Sequence, residues 1–152
     1  MNAKDFRIPT IATHAEVACA DGRTFAGRVF IPAHATNHAG PMRPEEWINQ
    51  PAAFFPFLPD DVGTPVLLAK RTVLVVTLGA GDASDRGVKR RVAVECGDRR
   101  LEGVLYIDMP EQSRRVQDYL NRPDLFLSLL EGNRRHLLQK DHITRVIEIG
   151  QQ

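Results

Sequence analysis

Three features that often reveal a protein's class are scarce in this sequence: cysteine, an excess of charge of one sign, and long apolar runs. Cys19 and Cys96 show no Cys-x-x-Cys spacing and are predicted to be reduced, buried thiols. The 20 lysines and arginines nearly balance 19 acidic residues, so the net charge of +1 creates no overall field that would attract nucleic acid or an anionic membrane. No segment approaches the ~20 apolar residues of a membrane span, and residues 1–6 lack the apolar region of a secretory signal. The sequence therefore predicts a soluble, cytoplasmic protein without a membrane partner.

Sequence motifs for catalysis are missing as well. The chain has no P-loop, no dinucleotide-binding glycine pattern, no His-Glu-x-x-His and no nucleophile elbow. His34 and His38 are four residues apart, which on a helix would suit a metal ion, but the surrounding proline, asparagine and glycine predict a loop. We expect no enzymatic activity, no cofactor and no metal site.

The most informative feature that is present is an internal repeat. Residues 43–51 (RPEEWINQP) and 115–123 (RVQDYLNRP) share the form Arg-x-x-acid-aromatic-aliphatic-Asn-x-Pro. A similar strand pair precedes each copy, and a similar Leu-Leu-x-Lys segment follows it. Three blocks recurring in the same order indicate a duplication. It predicts a first repeat at 12–78, a linker at 79–87 and a second repeat at 88–150, or one composite domain.

Each copy has the pattern of a small β unit with one short helix inserted after its second strand. Gly27 and Gly103 fall in the middle of that strand, which indicates a bend, a bulge or a close backbone approach. One copy of ~60 residues would be marginally stable by itself. We therefore expect a mainly β fold with short helices (α+β), in which two small β-barrel-like units pack about a pseudo-twofold axis, with the segments around Phe54 and Phe126 at their shared interface.

The repeated polar residues allow two interpretations. Arg43, Asn49, Arg115 and Asn121 could form a ligand-binding site present in each copy. Alternatively, each asparagine caps a helix end before proline, and each arginine pairs with the acidic residue three positions later. The repeat favours neither alternative, because structural residues are duplicated as faithfully as functional ones.

Basic doublets are concentrated in the second copy, and they suggest a possible contact with phosphates. Arg134, Arg135 and Lys140 are the candidates for binding nucleic acid. Acidic residues are interleaved with these doublets, a pattern more typical of a mixed, solvated face.

Each copy also resembles a distant Sm-like barrel. The resemblance rests on a turn of the Asp-Gly-Arg type, a bending glycine, an asparagine in the middle segment and a basic residue before the closing strand. In the first copy these are Asp21-Gly22-Arg23, Gly27, Asn49 and Lys70-Arg71; in the second copy they are Arg99, Gly103, Asn121 and Lys140-Asp141. It implies a small barrel and RNA as a partner. Residues 115–121 also resemble a group of uncharacterised bacterial proteins with the same duplicated layout, from which no activity follows.

Three functions are therefore compatible with the sequence. The leading prediction is a non-enzymatic protein-binding or assembly module, with a protein partner or self-association. The alternatives are an Sm-like RNA-binding protein and a small-ligand sensor that uses the repeated arginines and asparagines. No acid, base, nucleophile and metal constellation occurs in both copies, which favours the first.

Overall fold

Ten β-strands and two short α-helices make up the fold in a computed structural model, which describes residues 9–81 and 85–150. The N-terminal half contains β1 (Thr10–Cys19), β2 (Thr24–Pro32), α1 (Pro44–Ile48), β3 (Phe54–Pro59), β4 (Val66–Ala69) and β5 (Val73–Gly79). The C-terminal half contains β6 (Val88–Cys96), β7 (Arg99–Ile107), α2 (Val116–Leu120), β8 (Phe126–Glu131), β9 (Arg134–Gln139) and β10 (Ile143–Glu148). The prediction of a mainly β chain is confirmed. Part of the predicted linker, residues 82–84, lies outside the described residues.

All ten strands belong to one antiparallel sheet in the order β10-β6-β7-β8-β9-β5-β1-β2-β3-β4. The prediction of two barrel-like units about a pseudo-twofold axis is wrong, because this sheet is not closed. Neither set of five strands closes on itself, since β5 hydrogen-bonds to β9 of the other half. A twofold axis would repeat this contact as a second one between β10 and β4, whereas these two strands are the opposite edges of the sheet.

Two apolar clusters form the core, and each draws on both halves of the chain. The N-terminal cluster, which includes Val29 and Phe57, also takes in Phe126 and Leu137. The C-terminal cluster contains Leu74 and Val75 from β5, among others. Because β5 and β9 carry apolar side chains on both faces, they are buried on both sides like central strands.

The two mid-strand glycines allow close approach of the neighbouring strand. A Cβ atom at Gly27 would lie 2.2 Å from the carbonyl oxygen of Leu58, and one at Gly103 would lie 2.4 Å from that of Leu130. Both distances are far below van der Waals contact, so any side chain would force β2 and β3, or β7 and β8, apart. Of the three alternatives predicted for these glycines, close backbone approach is shown.

The two helices begin in the same way. The Arg43 backbone N–H donates to Glu46 Oε1 at 2.9 Å, and the Arg115 N–H donates to Asp118 Oδ2 at 3.3 Å. An acidic residue in the first turn satisfies a backbone donor and complements the positive end of the helix. Each helix is a single turn that ends at an asparagine, Asn49 or Asn121.

Candidate functional site

The contact between β5 and β9 is the best-packed place where the two halves meet. The strands pair antiparallel, with Val75 opposite Leu138 and Val76 opposite Leu137. Leu137 and Leu138 are fully buried, and both valines are at most 3% exposed. We call this contact the junction.

Asn49 fastens α1 across the junction to the first residue of β8. Its Nδ2 donates to the Phe126 carbonyl at 3.1 Å, and the Phe126 N–H donates to its Oδ1 at 2.8 Å. A further bond from Nδ2 to the Glu45 carbonyl, at 2.8 Å, holds the amide in place. One side chain thus satisfies both backbone groups of Phe126, which is only 2% exposed.

A buried arginine supports the same junction electrostatically. The side chain of Arg135, on β9, is 2% exposed and lies 3.2 Å from Asp85 and 3.6 Å from Glu45 of α1. It also donates to Ser128 Oγ at 2.6 Å. These residues line a cavity of about 90 Å³. A guanidinium so far from water is stable only beside such carboxylates, so the cluster ties α1, β8 and β9 together.

The strand that corresponds to β9 in the N-terminal half is β4, and its surroundings differ. β4 is the last strand of the sheet and is hydrogen-bonded only to β3 among the described residues. Leu67 is 69% exposed, Val66 39%, and Phe54 on the adjacent strand 54%. Beside them opens a groove of about 630 Å³ lined by Phe25, Leu67 and Leu68, with Asp21 and Asp61 also in its wall. β4 therefore combines an unpaired backbone edge with an apolar surface.

The opposite end of the sheet is more polar. β10 corresponds to β5, but Thr144, Arg145 and Glu148 are exposed on it. Arg145 pairs with Glu95 of β6 at 2.6 Å, and this bond raises the pKa of the guanidinium and lowers that of Glu95. The charges keep this edge solvated.

The four residues predicted to bind a ligand, one arginine and one asparagine in each copy, lie at the starts and ends of the two helices. Arg43 and Arg115 each lie at a helix start. Arg115 forms a bidentate ion pair with Asp118, in which Nε donates to Oδ2 at 2.9 Å and Nη2 donates to Oδ1 at 3.0 Å. Asn49 is engaged with Phe126, whereas Asn121 is exposed. The two asparagines therefore have different surroundings despite their equivalent positions in sequence.

The three residues predicted to bind nucleic acid do not form one exposed basic patch. Arg134 is exposed and lies 3.9 Å from Glu16, whereas Arg135 is buried among carboxylates. Lys140 Nζ donates to the Arg122 carbonyl at 3.0 Å, as Lys70 Nζ donates to the Gln50 carbonyl at 2.7 Å. Partial burial lowers the pKa of both lysines. Each lysine holds the chain just after its helix.

One of the two loop histidines, His38, has structural partners. His38 Nε2 lies 2.7 Å from Glu46 Oε1, and its Nδ1 lies 2.9 Å from the Ala39 carbonyl. Within residues 9–81 and 85–150, no group of three metal-ligating side chains is suitably placed to hold an ion. Both cysteines are buried, as predicted, and burial raises the pKa of the Cys96 thiol to about 11.

Sequence reasoning missed the buried cluster around Arg135 and the role of Gln139. Gln139 Nε2 donates across the junction to the carbonyls of Lys70 and Arg71, at 3.3 Å each. A signal was available, since Arg135 and Gln139 flank the leucines Leu137 and Leu138 on a strand predicted to be buried, where polar side chains need partners.

Comparison of the chain with protein-family models, curated proteins and solved structures finds no match. The helices in the described part of the chain are all too short or too polar to cross a membrane.

Proposed function

We propose that this protein is a non-enzymatic docking module, built from two copies of one unit, whose binding surface is the edge strand β4. The observation that supports this most strongly is the exposed apolar face of β4 beside a groove. An unpaired strand offers a row of backbone donors and acceptors, and proteins usually protect such edges with charges. Residues 66–69 (VLLA) carry none.

The chemistry of the surface fits an extended polypeptide. A strand added to β4 would form backbone hydrogen bonds, while its side chains would cover Leu67 and enter the groove. Exposed apolar clusters of this kind are typical of surfaces that bind another protein. RNA finds less support at this place, because the charged residues that line the groove, Asp21, Asp61 and Arg23, carry a net negative charge that would not attract phosphates.

A photo-crosslinking experiment tests this proposal. We would place p-benzoylphenylalanine at position 67 and irradiate native lysate, with the same residue at position 11 as a control, because Ile11 is also apolar and 46% exposed but lies on an inner strand. We expect a protein crosslink at position 67 that survives nuclease treatment and is absent at position 11. Equal labelling at both positions, or crosslinks only to RNA, would contradict the proposal.

A further inference from the structure

The junction shows how one half of this chain engages the next. The N-terminal half contributes two elements, the fifth strand β5 and the helix-ending Asn49. The C-terminal half receives them with its fourth strand β9 and with the backbone of Phe126, the first residue of its third strand. The contact is directional, because the contributing and receiving elements are different.

The receiving elements occur again, exposed, in the N-terminal half. β4 corresponds to β9, and Phe54 opens β3 as Phe126 opens β8. The register agrees, since Phe54 lies opposite Ala69 as Phe126 lies opposite Gln139. Phe54 is 54% exposed where Phe126 is 2% exposed.

The groove beside β4 also has a filled counterpart. Leu74 of β5 packs against the turn that follows β6 in the C-terminal half. A Cβ atom added to Gly97 would lie 3.0 Å from Leu74 Cδ1, and the Leu74 carbonyl accepts a hydrogen bond from Cys96 Sγ at 3.7 Å. The corresponding turn after β1 begins at Cys19 and Ala20, and these residues line the open groove. The groove is therefore the place where a fifth strand would lie.

The elements that correspond to the contributing ones are likewise exposed in the C-terminal half. β10 corresponds to β5 and is the outermost strand, and Asn121 ends α2 as Asn49 ends α1. The contributing strand β10 and the receiving strand β4 lie at opposite ends of the sheet, so they do not pair within a single chain.

We propose that β10 of one copy pairs antiparallel with β4 of a second copy, in the register of the junction, with Val146 opposite Leu67. In the same contact, the Asn121 side chain bonds to the backbone N–H and carbonyl of Phe54 in the second copy. This inference rests on the proposed docking function and names its partner as another copy of this chain. A head-to-tail contact continues from copy to copy until it closes into a ring or grows as a filament.

Charge complementarity supports this partner. The register places Arg145 opposite Leu68, in the position that Val75 takes opposite Leu138 at the junction. Leu68 lines the groove together with Asp21, Arg23 and Asp61. Asp21 is already paired with Arg23 at 2.7 Å, so the guanidinium of one copy would meet the carboxylate of Asp61 in the next. The polar character of β10 therefore suits the acidic wall of the groove while it keeps the free edge soluble.

Two blocked variants of the purified full chain test the inference. Leu67→Glu blocks the receiving edge, and the double variant Arg145→Glu with Asn121→Ala blocks the contributing edge. All three positions are exposed, so both variants should fold, which circular dichroism and thermal melting would check. Mass would be followed by sedimentation and light scattering over a range of protein concentrations.

We expect the wild-type mass to rise with concentration and each variant to remain a monomer. An equimolar mixture of the two variants should form a heterodimer of twice the mass of one chain and go no further, because each retains one functional edge. A variant that still self-associates, or a mixture that stays monomeric, would overturn the head-to-tail contact.

The outcomes separate this inference from the proposed function. Wild-type protein that stays monomeric at every concentration, together with a specific protein crosslink at position 67 in lysate, would overturn self-assembly and leave the docking function intact. A monomer without any such crosslink would overturn both.

Discussion

The junction and the free edge strand β4 use corresponding parts of the chain with opposite results. Leu137 at the junction is fully buried, whereas Leu67 on β4 is 69% exposed. The amide of Asn49 is bonded on both sides, whereas Asn121 is exposed. Leucine at both positions shows that residue type alone does not determine burial here. Burial depends on a neighbouring strand, and among the described residues β4 has none on its outer side.

Some differences in sequence do follow from the difference in burial. At the junction, β9 carries Arg135, which bonds to Asp85 and Ser128 and lies 3.6 Å from Glu45 of α1, and Gln139, which donates to the backbone after β4. The corresponding positions in β4 and just before it are Ala69 and Pro65, which form no such bonds. β4 therefore lacks the buried polar contacts that fix the junction, and a contact made there would be weaker and reversible.

The largest effect is expected for the buried cation of the junction. Arg135→Ala would leave Asp85 and Glu45 without their counter-charge in a partly buried place, and should reduce the free energy of unfolding by about 3–5 kcal/mol. Urea denaturation would measure it. The neighbouring Arg134→Ala is the control, because that exposed ion pair should be worth less than about 1 kcal/mol. Similar losses for both variants would contradict the assignment of Arg135 as a junction residue.

The equivalent leucines Leu137 of β9 and Leu67 of β4 give the most direct test of the difference in burial between the junction and the free edge. Leu137→Ala removes buried side-chain atoms and leaves a cavity, so we expect a loss of about 2–5 kcal/mol in the free energy of unfolding. Leu67→Ala in the monomer should change it by less than about 0.5 kcal/mol, because the side chain is mostly in water. Denaturation at low protein concentration keeps self-association out of the measurement. A large loss from Leu67→Ala under those conditions would show that β4 is covered.

Much of the local structure could be predicted from the sequence, because local rules control it. The strands, the short helices and the helix starts at Arg43 and Arg115 follow from strand patterning, proline and acidic residues near the first turn. The mid-strand positions of Gly27 and Gly103 predict a bend, a bulge or a close backbone approach, and the structure shows the last of these.

The arrangement of the two halves could not be predicted in the same way. A repeat says that two units are alike, but it does not distinguish contact between like strands from contact between unlike strands. Phe54 and Phe126 were predicted at one shared interface; Phe126 is buried there, whereas Phe54 is 54% exposed and shares an open pocket with Leu125 of the other half. Arg135 was grouped with exposed basic residues, because the carboxylates that bury it, Glu45 and Asp85, are distant in sequence.

The equivalent asparagines Asn49 and Asn121 should show a smaller difference in their effect on the free energy of unfolding. Asn49→Ala would leave the N–H and carbonyl of Phe126 without partners in a buried place, which should cost about 1–3 kcal/mol of unfolding free energy. Asn121→Ala should leave the stability of the monomer unchanged, because Asn121 is exposed. Denaturation of both variants, again at low concentration, would measure the difference. Equal effects would mean that Asn49 acts only as a helix end, as Asn121 does, and not as a clamp across the junction.

The smallest effect concerns pH and distinguishes the two helix starts. At α1, hydrogen bonds to the Ala39 carbonyl and to Glu46 raise the pKa of His38 above its usual 6.5. Burial opposes ionisation of Glu46, but the Arg43 N–H and the His38 ring outweigh it and lower its pKa below 4.5. At α2, the side-chain bond from Arg115 lowers the pKa of Asp118.

The sign of the pH effect follows from these shifts. The contribution of His38 to the stability of the folded state is complete below pH 6.5 and is lost as the pH rises through its raised pKa. The contribution of Glu46 is present above pH 4.5 and is lost as the pH falls through its lowered pKa. Their ion pair is therefore strongest between these values, whereas Arg115 and Asp118 stay paired up to high pH. Raising the pH from 6 to 9 should speed amide hydrogen exchange in the loop at 33–42, after correction for intrinsic rates, and leave residues 108–114 unaffected. In His38→Gln the loop should exchange at one corrected rate throughout; an unchanged pH dependence in that variant would assign the effect to another group.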